Sequence, residues 1–319
     1  MSEKDIKKSL PGVKENILLS AHTTFEIGGP AKYFFTAKDQ KDLIKAIGAA
    51  KEFNLPFFVL GGGSNLLASD RGYKGLIIKI QNSWLKIQGF NIYAEAGVPV
   101  SKVVDISSKN DLTGFEWAAG IPGTVGGAVY GNIGAFGSTM ENNIKNVKAL
   151  DVQKLKVKTF SNKECRFGNK DSIFKKNNNL LVLSVLLELK KGDRGEISQE
   201  IKRFLGYRKE NHPLGFPSAG CIFKNHDKKI IDKELLKKYP ELIEFNKGTR
   251  IPTSYFIDKC GLKGKIIGRA KISEKHANFI VNLGGAKADD VLKLVNIIKR
   301  KVKEKFKITL EEEVQYLGF

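Results

Sequence analysis

Residues 32–67, KYFFTAKDQKDLIKAIGAAKEFNLPFFVLGGGSNLL, predict a strand, a helix and a second strand in that order. The first run is rich in aromatic residues, as strands are, and Asp39 stands where a helix N-cap is expected. Pro56 precedes a second apolar run that ends at three glycines. The apolar residues between the two runs recur at helical spacing: Leu43, Ile44, Ile47 and Ala50. We therefore expect a β-α-β unit that closes with a glycine turn.

The closing loop, LGGGSNLL at residues 60–67, has the composition of an anion-binding turn. Successive glycines let the main chain approach a ligand closely, and N–H groups that point the same way bind phosphate oxygens. The spacing is not the GxGxxG of a Rossmann fingerprint, and no Lys-Ser/Thr pair follows as in a P-loop. We expect a pyrophosphate cradle here, with a plain tight turn as the alternative.

A second glycine-rich stretch, GFEWAAGIPGTVGGAVYGNIGAFG, occupies residues 114–137. So many glycines forgo side-chain packing and cost backbone entropy on folding. A ligand that contacts the main chain directly, such as a flat aromatic cofactor with ring N–H and C=O groups, would justify that cost; a glycine-rich β-bulge region is the alternative. The uncharged window 117–139 is long enough for a membrane span, but Pro122 and the glycines make it a poor membrane helix.

The remaining chain predicts further helices and short strands. Alternating apolar runs at 74–116 and 144–189 indicate strands of a mixed sheet, and we expect another domain to begin near Pro213. The predicted helices are 100–110, 197–211, 254–260 and 288–306. The last of them has one apolar face, made by Val291, Leu292, Val295, Ile298 and Val302.

Length, charge and residue spacing limit the classes of function that the sequence supports. The chain has 319 residues, enough for two or three domains, and its 54 basic and 34 acidic residues give a net charge of +20. The lysines are spread along the chain without a nucleic-acid motif, so we expect attraction for a polyanionic small molecule, no nucleic-acid partner and no membrane insertion. The N-terminus lacks the apolar segment of a secretory signal, which predicts a cytoplasmic protein. The cysteines and histidines have neither disulfide-framework nor metal-ligand spacing.

Six motifs occur in the order found in one family, and the resemblance covers about residue 17 to the end. The chain resembles the UDP-N-acetylenolpyruvoylglucosamine reductases, flavoenzymes of bacterial peptidoglycan precursor synthesis. The motifs are TTFEIGGPAKYF (23–34), LGGGSNLL (60–67), the stretch 114–137, PSAGCIFKN (217–225), GLKGKIIGRAKISEKHANFIVN (261–282) and LEEEVQYLG (310–318).

The resemblance implies an α+β fold of the vanillyl-alcohol-oxidase-like (PCMH) type. A two-lobed FAD-binding domain at 17–205, with lobes at about 17–75 and 76–205, follows an N-terminal extension at 1–16. A smaller α+β substrate-binding domain occupies 206–319. The short span between Asp171 and Pro217 leaves little room for the extra tyrosine-bearing loop of one subtype, so the chain resembles the shorter subtype.

The resemblance also implies non-covalent FAD, NADPH as co-substrate, the enolpyruvyl ether of UDP-N-acetylglucosamine as substrate, and a monomer. It places the FAD pyrophosphate and ring at the two glycine-rich stretches. The implied cofactor-binding residues are Gly61, Gly62, Gly63, Ser64, Asn65, Gly120, Ile121, Pro122, Gly123, Thr124, Gly127, Asn132, Gly134 and Ala135.

Three residues are implied in catalysis. After hydride reaches the terminal carbon of the enolpyruvyl group, the neighbouring carbon must be protonated and its enolate stabilised. Cys221 stands at the position of the family's proton-donating serine, and a thiol of pKa about 8.5 is a stronger acid than a hydroxyl. Glu313 matches the carboxylate that assists at the enolate. By itself, Cys221 has a small core residue as its alternative interpretation.

Lys170 stands where the family has an arginine that pairs with the enolpyruvyl carboxylate. Asn169-Lys170 replaces the usual Tyr-Arg; lysine keeps the charge but loses the bidentate fork, and Arg166 is the alternative partner. The implied substrate-binding residues are Arg208, Asn225, Lys263 and His276, for which ordinary surface polarity is the alternative. The rival functions are another FAD-dependent oxidoreductase of the same fold and a lysine-rich binding protein without enzymatic activity.

Overall fold

The structure, a computed structural model, describes residues 3–319, with side chains from residue 6 onward. The chain divides into two compact units. The first unit contains the described residues up to Ile17, then Pro30–Gly63 and Tyr73–Glu210. The second unit contains Leu18–Gly29, Ser64–Gly72 and Asn211–Phe319.

The α-helices include every helix that the sequence predicts. Their bounds are α1 Glu3–Ser9, α2 Gln40–Glu52, α3 Val100–Lys109, α4 Val125–Tyr130, α5 Ile173–Lys176, α6 Arg194–Asn211, α7 Lys233–Lys238, α8 Glu241–Phe245, α9 Thr253–Lys259 and α10 Ala288–Phe306. Short 3₁₀ turns lie at Leu19–His22, Glu116–Ala118, Met140–Asn142 and Lys163–Cys165.

The strands are short, and most pair antiparallel. Their bounds are β1 Lys14–Leu18, β2 Pro30–Ala37, β3 Phe57–Leu60, β4 Leu66–Ala68, β5 Tyr73–Ile80, β6 Leu85–Gln88, β7 Asn91–Glu95, β8 Leu112–Thr113, β9 Gly134–Ala135, β10 Ser138–Thr139, β11 Ile144–Asp151, β12 Lys156–Ser161, β13 Leu180–Glu188, β14 Lys190–Lys191, β15 Ser218–Cys221, β16 Ile266–Ile267, β17 Ala270–Ile272, β18 Phe279–Asn282 and β19 Gln315–Leu317.

The predicted β-α-β unit is confirmed as β2, α2 and β3. The Asp39 carboxylate accepts the main-chain N–H of Asp42 at 2.8 Å, which caps the first turn of α2. Leu43 and Ile47 of α2 are buried against the sheet. The sheet order is β1-β2-β5-β3, so β5 lies between β2 and β3 and is parallel to both. In this register Leu60, the last residue before the glycines, is paired with Lys79.

The first unit also contains an antiparallel sheet of order β12-β11-β13-β7-β6. Most residues of the long central strand β13 are buried, and Val147 of β11 lies opposite Val185 of β13. The mixed sheet expected from the sequence is therefore wrong, because β5 lies in the parallel sheet with β2 and β3, whereas β6, β7, β11, β12 and β13 form a separate antiparallel sheet. Helix α2 supplies the crossover that joins parallel strands β2 and β3, and short turns join the antiparallel pairs β6–β7 and β11–β12.

The second unit is built on the antiparallel sheet β15-β18-β17-β16 and helices α9 and α10. The predicted apolar face of α10 is confirmed, because Val291, Val295, Ile298 and Val302 are buried and Leu292 is partly buried against the same core. Complete burial of one such side chain stabilises the fold by about 1.5–3 kcal/mol. Strand β19 near the C-terminus pairs in parallel with β4, which joins distant parts of the chain within this unit.

The two units interleave along the chain, unlike the continuous ranges predicted for the domains. Leu18–Gly29 and Ser64–Gly72 pack with the C-terminal part, although the prediction placed them in 17–205. The expected extension at 1–16, of which residues 1–2 lie outside the described part, contributes Ile6 and Leu10 to the core of the first unit. Long-range strand pairing such as β4 with β19 produces this arrangement.

Across residues 3–319, no helix combines the length and apolar character that a membrane crossing requires. The side chains described from residue 6 onward contain no cluster of three or more histidine, cysteine or acidic groups placed to hold a metal ion. Cys165, Cys221 and Cys260, all within the described residues, form no disulfide. Burial raises the pKa of the Cys165 thiol to about 12.

Candidate functional site

The two glycine-rich stretches meet in the first unit. A Cβ atom built on Gly62 would lie 2.6 Å from Gly123 Cα, and one built on Gly61 would lie 2.5 Å from Thr124 Oγ1. Both distances are shorter than real Cβ contacts, so neither glycine tolerates a side chain without movement of its neighbours. The structure thus brings together the two segments that the sequence predicts to bind one cofactor.

Thr124 presents an unused polar atom at this junction. Its Oγ1 is buried and forms no hydrogen bond with any of the residues that the structure describes. Thr124 also precedes the first residue of α4, but its side chain does not cap that helix. A buried hydroxyl without a partner costs about 1–3 kcal/mol, which a polar group of a ligand would offset.

Arg208 packs against the second glycine-rich stretch within the first unit, which differs from its predicted place in a separate substrate domain. Its guanidinium is buried and donates from Nε to the Ala119 carbonyl at 2.8 Å. The ring of Phe136 lies 5.2 Å from the guanidinium carbon. Gly120 has a φ of +77°, and a Cβ there would lie 2.8 Å from Arg208 Cδ, so the arginine and the glycine pack directly. Arg208 therefore supports the main chain of the glycine-rich stretch.

The remaining predicted cofactor residues of the first unit differ in their contacts. Asn132 is buried, donates to the Gly168 carbonyl at 3.0 Å and accepts from Glu141 N–H, so its amide is used within the protein. Lys170 donates from Nζ to the Gly134 carbonyl at 3.3 Å, which connects a predicted catalytic residue to this region. Ile121 is partly buried against the core, whereas Pro122 and Gly127 are exposed, and Ala135 with Gly134 forms β9.

Lys79 is a site residue that the sequence interpretation missed. It lies on β5 opposite Leu60, and its ammonium group donates to the Gly61 carbonyl at 2.5 Å. Burial lowers its pKa below the ordinary value for lysine. The signal that could have found it is a single lysine within the apolar run GLIIKI at residues 75–80.

In the second unit, Cys221 and Glu313 lie on two segments that are joined by main-chain hydrogen bonds. Cys221 is the last residue of β15 and is half-buried. The next residue, Ile222, accepts the main-chain N–H of Glu313 at 2.7 Å. Asn65 donates from its side-chain amide to the Glu313 carbonyl at 3.1 Å. Three residues far apart in the sequence are therefore brought together.

Asn278, which the sequence interpretation did not select, fixes the segment that follows Cys221. It is buried, and its side-chain amide both accepts the N–H of Phe223 at 3.0 Å and donates to the Phe223 carbonyl at 2.8 Å. Its own carbonyl accepts the Ile222 N–H at 2.8 Å. These bonds hold the main chain next to Cys221 in one conformation, as a proton donor requires.

His276 belongs to a ring cluster beside the Cys221 strand. Phe279, which pairs with Cys221 across β15 and β18, has its ring centroid 4.8 Å from that of His276 and 5.1 Å from that of His212. Burial lowers the pKa of His276, and the positive charge of Lys263 adds to this effect. The Nδ1 atom of His276 is buried and has no hydrogen-bond partner within the described part of the chain. The predicted substrate residue His276 thus lies near Cys221, with one nitrogen available to a ligand.

Lys263 and Asn225 both interact with other residues of the protein. Lys263 forms an ion pair with Asp258 at 3.2 Å. Asn225 is exposed, and its Oδ1 accepts the N–H of Thr253, the first residue of α9, at 3.2 Å. Their predicted binding of substrate stays a prediction, and these contacts give each residue a structural role as well.

Comparisons with known proteins identify both parts of the chain. Residues 31–157 match the model of an FAD binding domain, and residues 212–317 match the C-terminal domain of UDP-N-acetylenolpyruvoylglucosamine reductase. The reductase of Anoxybacillus flavithermus is 36% identical over 320 residues, which cover 100% of this chain and 98% of that protein. The reductase of Caldanaerobacter subterraneus subsp. tengcongensis is 36% identical over 94% of this chain and 92% of its own length.

A solved structure agrees with the sequence matches. The crystal structure of the reductase from Thermus caldophilus superposes with a TM-score of 0.75 at 31% identity, covering 95% of this chain and 98% of that one. The matched FAD domain includes the junction of Gly62 and Gly123 and the unpartnered Thr124 hydroxyl, so the residues present fit this cofactor. The predicted α+β fold with an FAD-binding domain is confirmed. The chain belongs to the UDP-N-acetylenolpyruvoylglucosamine reductase family.

Proposed function

We propose that this protein is an FAD-dependent reductase that converts the enolpyruvyl ether of UDP-N-acetylglucosamine to the lactyl ether, with NADPH as reductant. The product is UDP-N-acetylmuramate, a precursor of peptidoglycan. The observation that carries the proposal is the bonded arrangement of Asn65, Glu313 and the segment after Cys221, in a chain that matches reductases over its full length.

The first unit is proposed to hold FAD through main-chain groups of residues 61–63 and 120–124 and through the Thr124 hydroxyl. When bound, FAD supplies transfer of hydride from NADPH to the substrate. Glycine at the contact points lets main-chain N–H groups approach phosphate oxygens without an intervening side chain.

The second unit is proposed to supply the proton through Cys221. Arrival of hydride at the terminal carbon of the enolpyruvyl group leaves an electron pair on the neighbouring carbon. The thiol gives its proton to that carbon, a new C–H bond forms, and the thiolate regains a proton from solvent. A thiol has an ordinary pKa of about 8.5, so it is mostly protonated at neutral pH and is still acidic enough to donate.

Glu313 is proposed to stabilise the enolate that forms before protonation. Its main chain is fixed by hydrogen bonds to the Ile222 carbonyl and the Asn65 side chain. These bonds hold the backbone of Glu313 beside the segment that follows Cys221. Groups fixed in advance at a developing charge lower the barrier because they need no reorganisation during the reaction.

Lys170 is proposed to pair with the carboxylate of the enolpyruvyl group. We expect Lys170→Met to raise the KM for the enolpyruvyl sugar at least about 10-fold, because one charge-assisted hydrogen bond contributes about 1.5–3 kcal/mol. The KM for NADPH stays at the wild-type value, and Lys170→Arg retains tight substrate binding. Steady-state kinetics with each substrate varied in turn measures both constants.

Arg166 provides the matched control for that experiment. It is an exposed residue in a left-handed conformation, with a φ of 46°, and lies four positions before Lys170 in the same loop region. Arg166→Met is expected to leave both KM values unchanged. A rise in the substrate KM for Arg166→Met, with Lys170→Met unaffected, would assign the carboxylate to Arg166 instead.

Gly62→Ala is expected to weaken FAD binding at least about 10-fold, because its Cβ would overlap the main chain at Gly123 and overpacking costs about 1–3 kcal/mol. The flavin content of the purified variant, measured as the ratio of visible to ultraviolet absorbance, checks this. Gly48→Ala is the control: Gly48 lies inside α2 with no atom within 4 Å of a new Cβ, so alanine raises stability by up to about 1 kcal/mol. Equal flavin content in both variants would contradict the cradle.

The proposed function is tested by the product. Purified protein is incubated with NADPH and the enolpyruvyl UDP-sugar, and with NADPH and UDP-N-acetylglucosamine as control. We expect NADPH oxidation that depends on the enolpyruvyl group and a product heavier than the substrate by the mass of one hydrogen molecule. NADPH oxidation that is equal with both sugars would reject this substrate. The monomeric state and the cytoplasmic location stay predictions.

A further inference from the structure

Lys79 is a half-buried cation, and no carboxylate among the side chains described from residue 6 onward forms an ion pair with it. Its Nζ donates a hydrogen bond to the Gly61 carbonyl, and burial lowers its pKa below the ordinary value for lysine. An ammonium group has three donors, so its hydrogen bond to Gly61 uses only part of its capacity. Holding a desolvated charge without a counter-charge costs free energy, and proteins keep such groups mainly where a ligand supplies the opposite charge.

The position of Lys79 agrees with an anionic ligand. Gly61, which accepts the hydrogen bond from Lys79, also lies next to Thr124: a Cβ added to Gly61 would overlap Thr124 Oγ1. That hydroxyl is buried and has no hydrogen-bond partner among the described residues. Gly62, the next residue of this loop, lies so close to Gly123 that an added Cβ would be 2.6 Å from the Gly123 Cα. Lys79 and Thr124 therefore contact Gly61 from two different elements, and each has hydrogen-bonding capacity that the protein does not use.

The strand register explains why the lysine points to this loop. Leu76 and Ile78 of β5 belong to the buried core on the α2 side of the parallel sheet. Successive side chains alternate between faces, so Lys79 is on the opposite face from α2. It also lies near the carboxyl ends of parallel strands β3 and β5, where α/β sheets bind phosphate-containing ligands.

We propose that Lys79 is a cofactor-binding residue whose ammonium group contacts the diphosphate of FAD while it holds the Gly61 carbonyl in place. The proposal rests on FAD being the ligand of the glycine stretches, and it does not depend on which substrate the enzyme reduces. A diphosphate is common to FAD, NADPH and the UDP-sugar, so binding of each has to be measured separately.

The experiment compares ligands that differ in the diphosphate. Full-length protein is freed of flavin, and binding of FAD and of riboflavin, which has no phosphate, is titrated by flavin fluorescence for wild type and Lys79→Met. We expect the FAD dissociation constant to rise roughly 10- to 100-fold, as for loss of a charge-assisted hydrogen bond, and the riboflavin constant to change less than about 3-fold. Lys79→Arg keeps most of the FAD affinity. Lys74→Met, which removes an exposed lysine from the same strand, leaves both constants unchanged.

Three further measurements separate charge pairing from other roles. The melting temperature of flavin-free Lys79→Met is expected to stay within about 4 °C of the wild-type value, since removal of a desolvated charge offsets the loss of its hydrogen bond to the Gly61 carbonyl. The dissociation constant of UDP and the KM for NADPH are expected to stay within about 3-fold of wild type. Equal weakening of FAD and riboflavin binding, or a fall in the melting temperature of the flavin-free variant well beyond this range, would overturn the proposal in favour of a structural or ring-binding role. A selective loss of UDP or NADPH binding would assign the lysine to those diphosphates instead.

The test remains informative if the proposed function fails. A protein that binds FAD through Lys79 but leaves the enolpyruvyl sugar unreduced retains this inference and loses the substrate assignment. If the protein reduces the sugar but Lys79→Met weakens FAD and riboflavin binding equally, the proposed function stands and this inference is rejected.

Discussion

Cys221→Ala is expected to slow reoxidation of the reduced flavin by the enolpyruvyl sugar at least about 100-fold, because general acids contribute about 10²–10⁴-fold to such steps. Reduction of the flavin by NADPH proceeds at the wild-type rate, since no proton from the thiol enters that half-reaction. Stopped-flow absorbance at the flavin band, recorded without oxygen, measures the two half-reactions separately.

Two variants control for the packing of Cys221. Cys221→Ser retains substantial activity, because a hydroxyl occupies nearly the same volume and can donate a proton. Cys260→Ala removes another half-buried thiol of the second unit and leaves both half-reactions unchanged. An equal slowing of both half-reactions by Cys221→Ala would show that Cys221 supports flavin binding or packing and that another group donates the proton.

Glu313→Gln is expected to slow the same substrate half-reaction about 10²–10³-fold, the usual effect of removing one group that stabilises an oxyanion. Glutamine keeps the size of the side chain and the main-chain bonds to Ile222 and Asn65, so folding and flavin content are preserved. The rate of flavin reoxidation at saturating substrate measures the effect.

The neighbouring glutamates test whether position or charge is responsible. Glu311 pairs with Lys224 at 3.1 Å and Glu312 pairs with Lys299 at 2.9 Å, so both have surface ion-pair partners. Glu311→Gln and Glu312→Gln are expected to retain wild-type rates, because such ion pairs contribute at most about 1 kcal/mol to stability. If Glu312→Gln caused the larger loss, the catalytic carboxylate would be Glu312.

Local sequence patterns predict the elements of this fold that are determined mainly by residues close together in the sequence. The β-α-β unit follows from the spacing of apolar residues and the Asp39 cap, and α10 follows from its apolar face. The two glycine stretches also point to the cofactor region without knowledge of the fold, because repeated glycine is costly unless a close approach requires it.

The remaining features depend on contacts between distant parts of the chain. Insertion of β5 between β2 and β3 and pairing of β4 with β19 are tertiary events that no local pattern encodes. Helix α4 forms within a glycine-rich stretch that propensity assigns to turns, because Val125 and Val129 are buried in the core. The role of Lys79 depends on this strand order, which brings it opposite Leu60.

The measurement that tests the central claim most directly is the visible flavin absorbance of the purified protein under anaerobic conditions. NADPH is added first and the enolpyruvyl UDP-sugar second, with UDP-N-acetylglucosamine in a parallel cuvette. We predict bleaching by NADPH and recovery with the enolpyruvyl sugar alone. Bleaching without recovery would contradict the proposed substrate, and folded protein that neither contains nor takes up flavin would contradict the cofactor site itself.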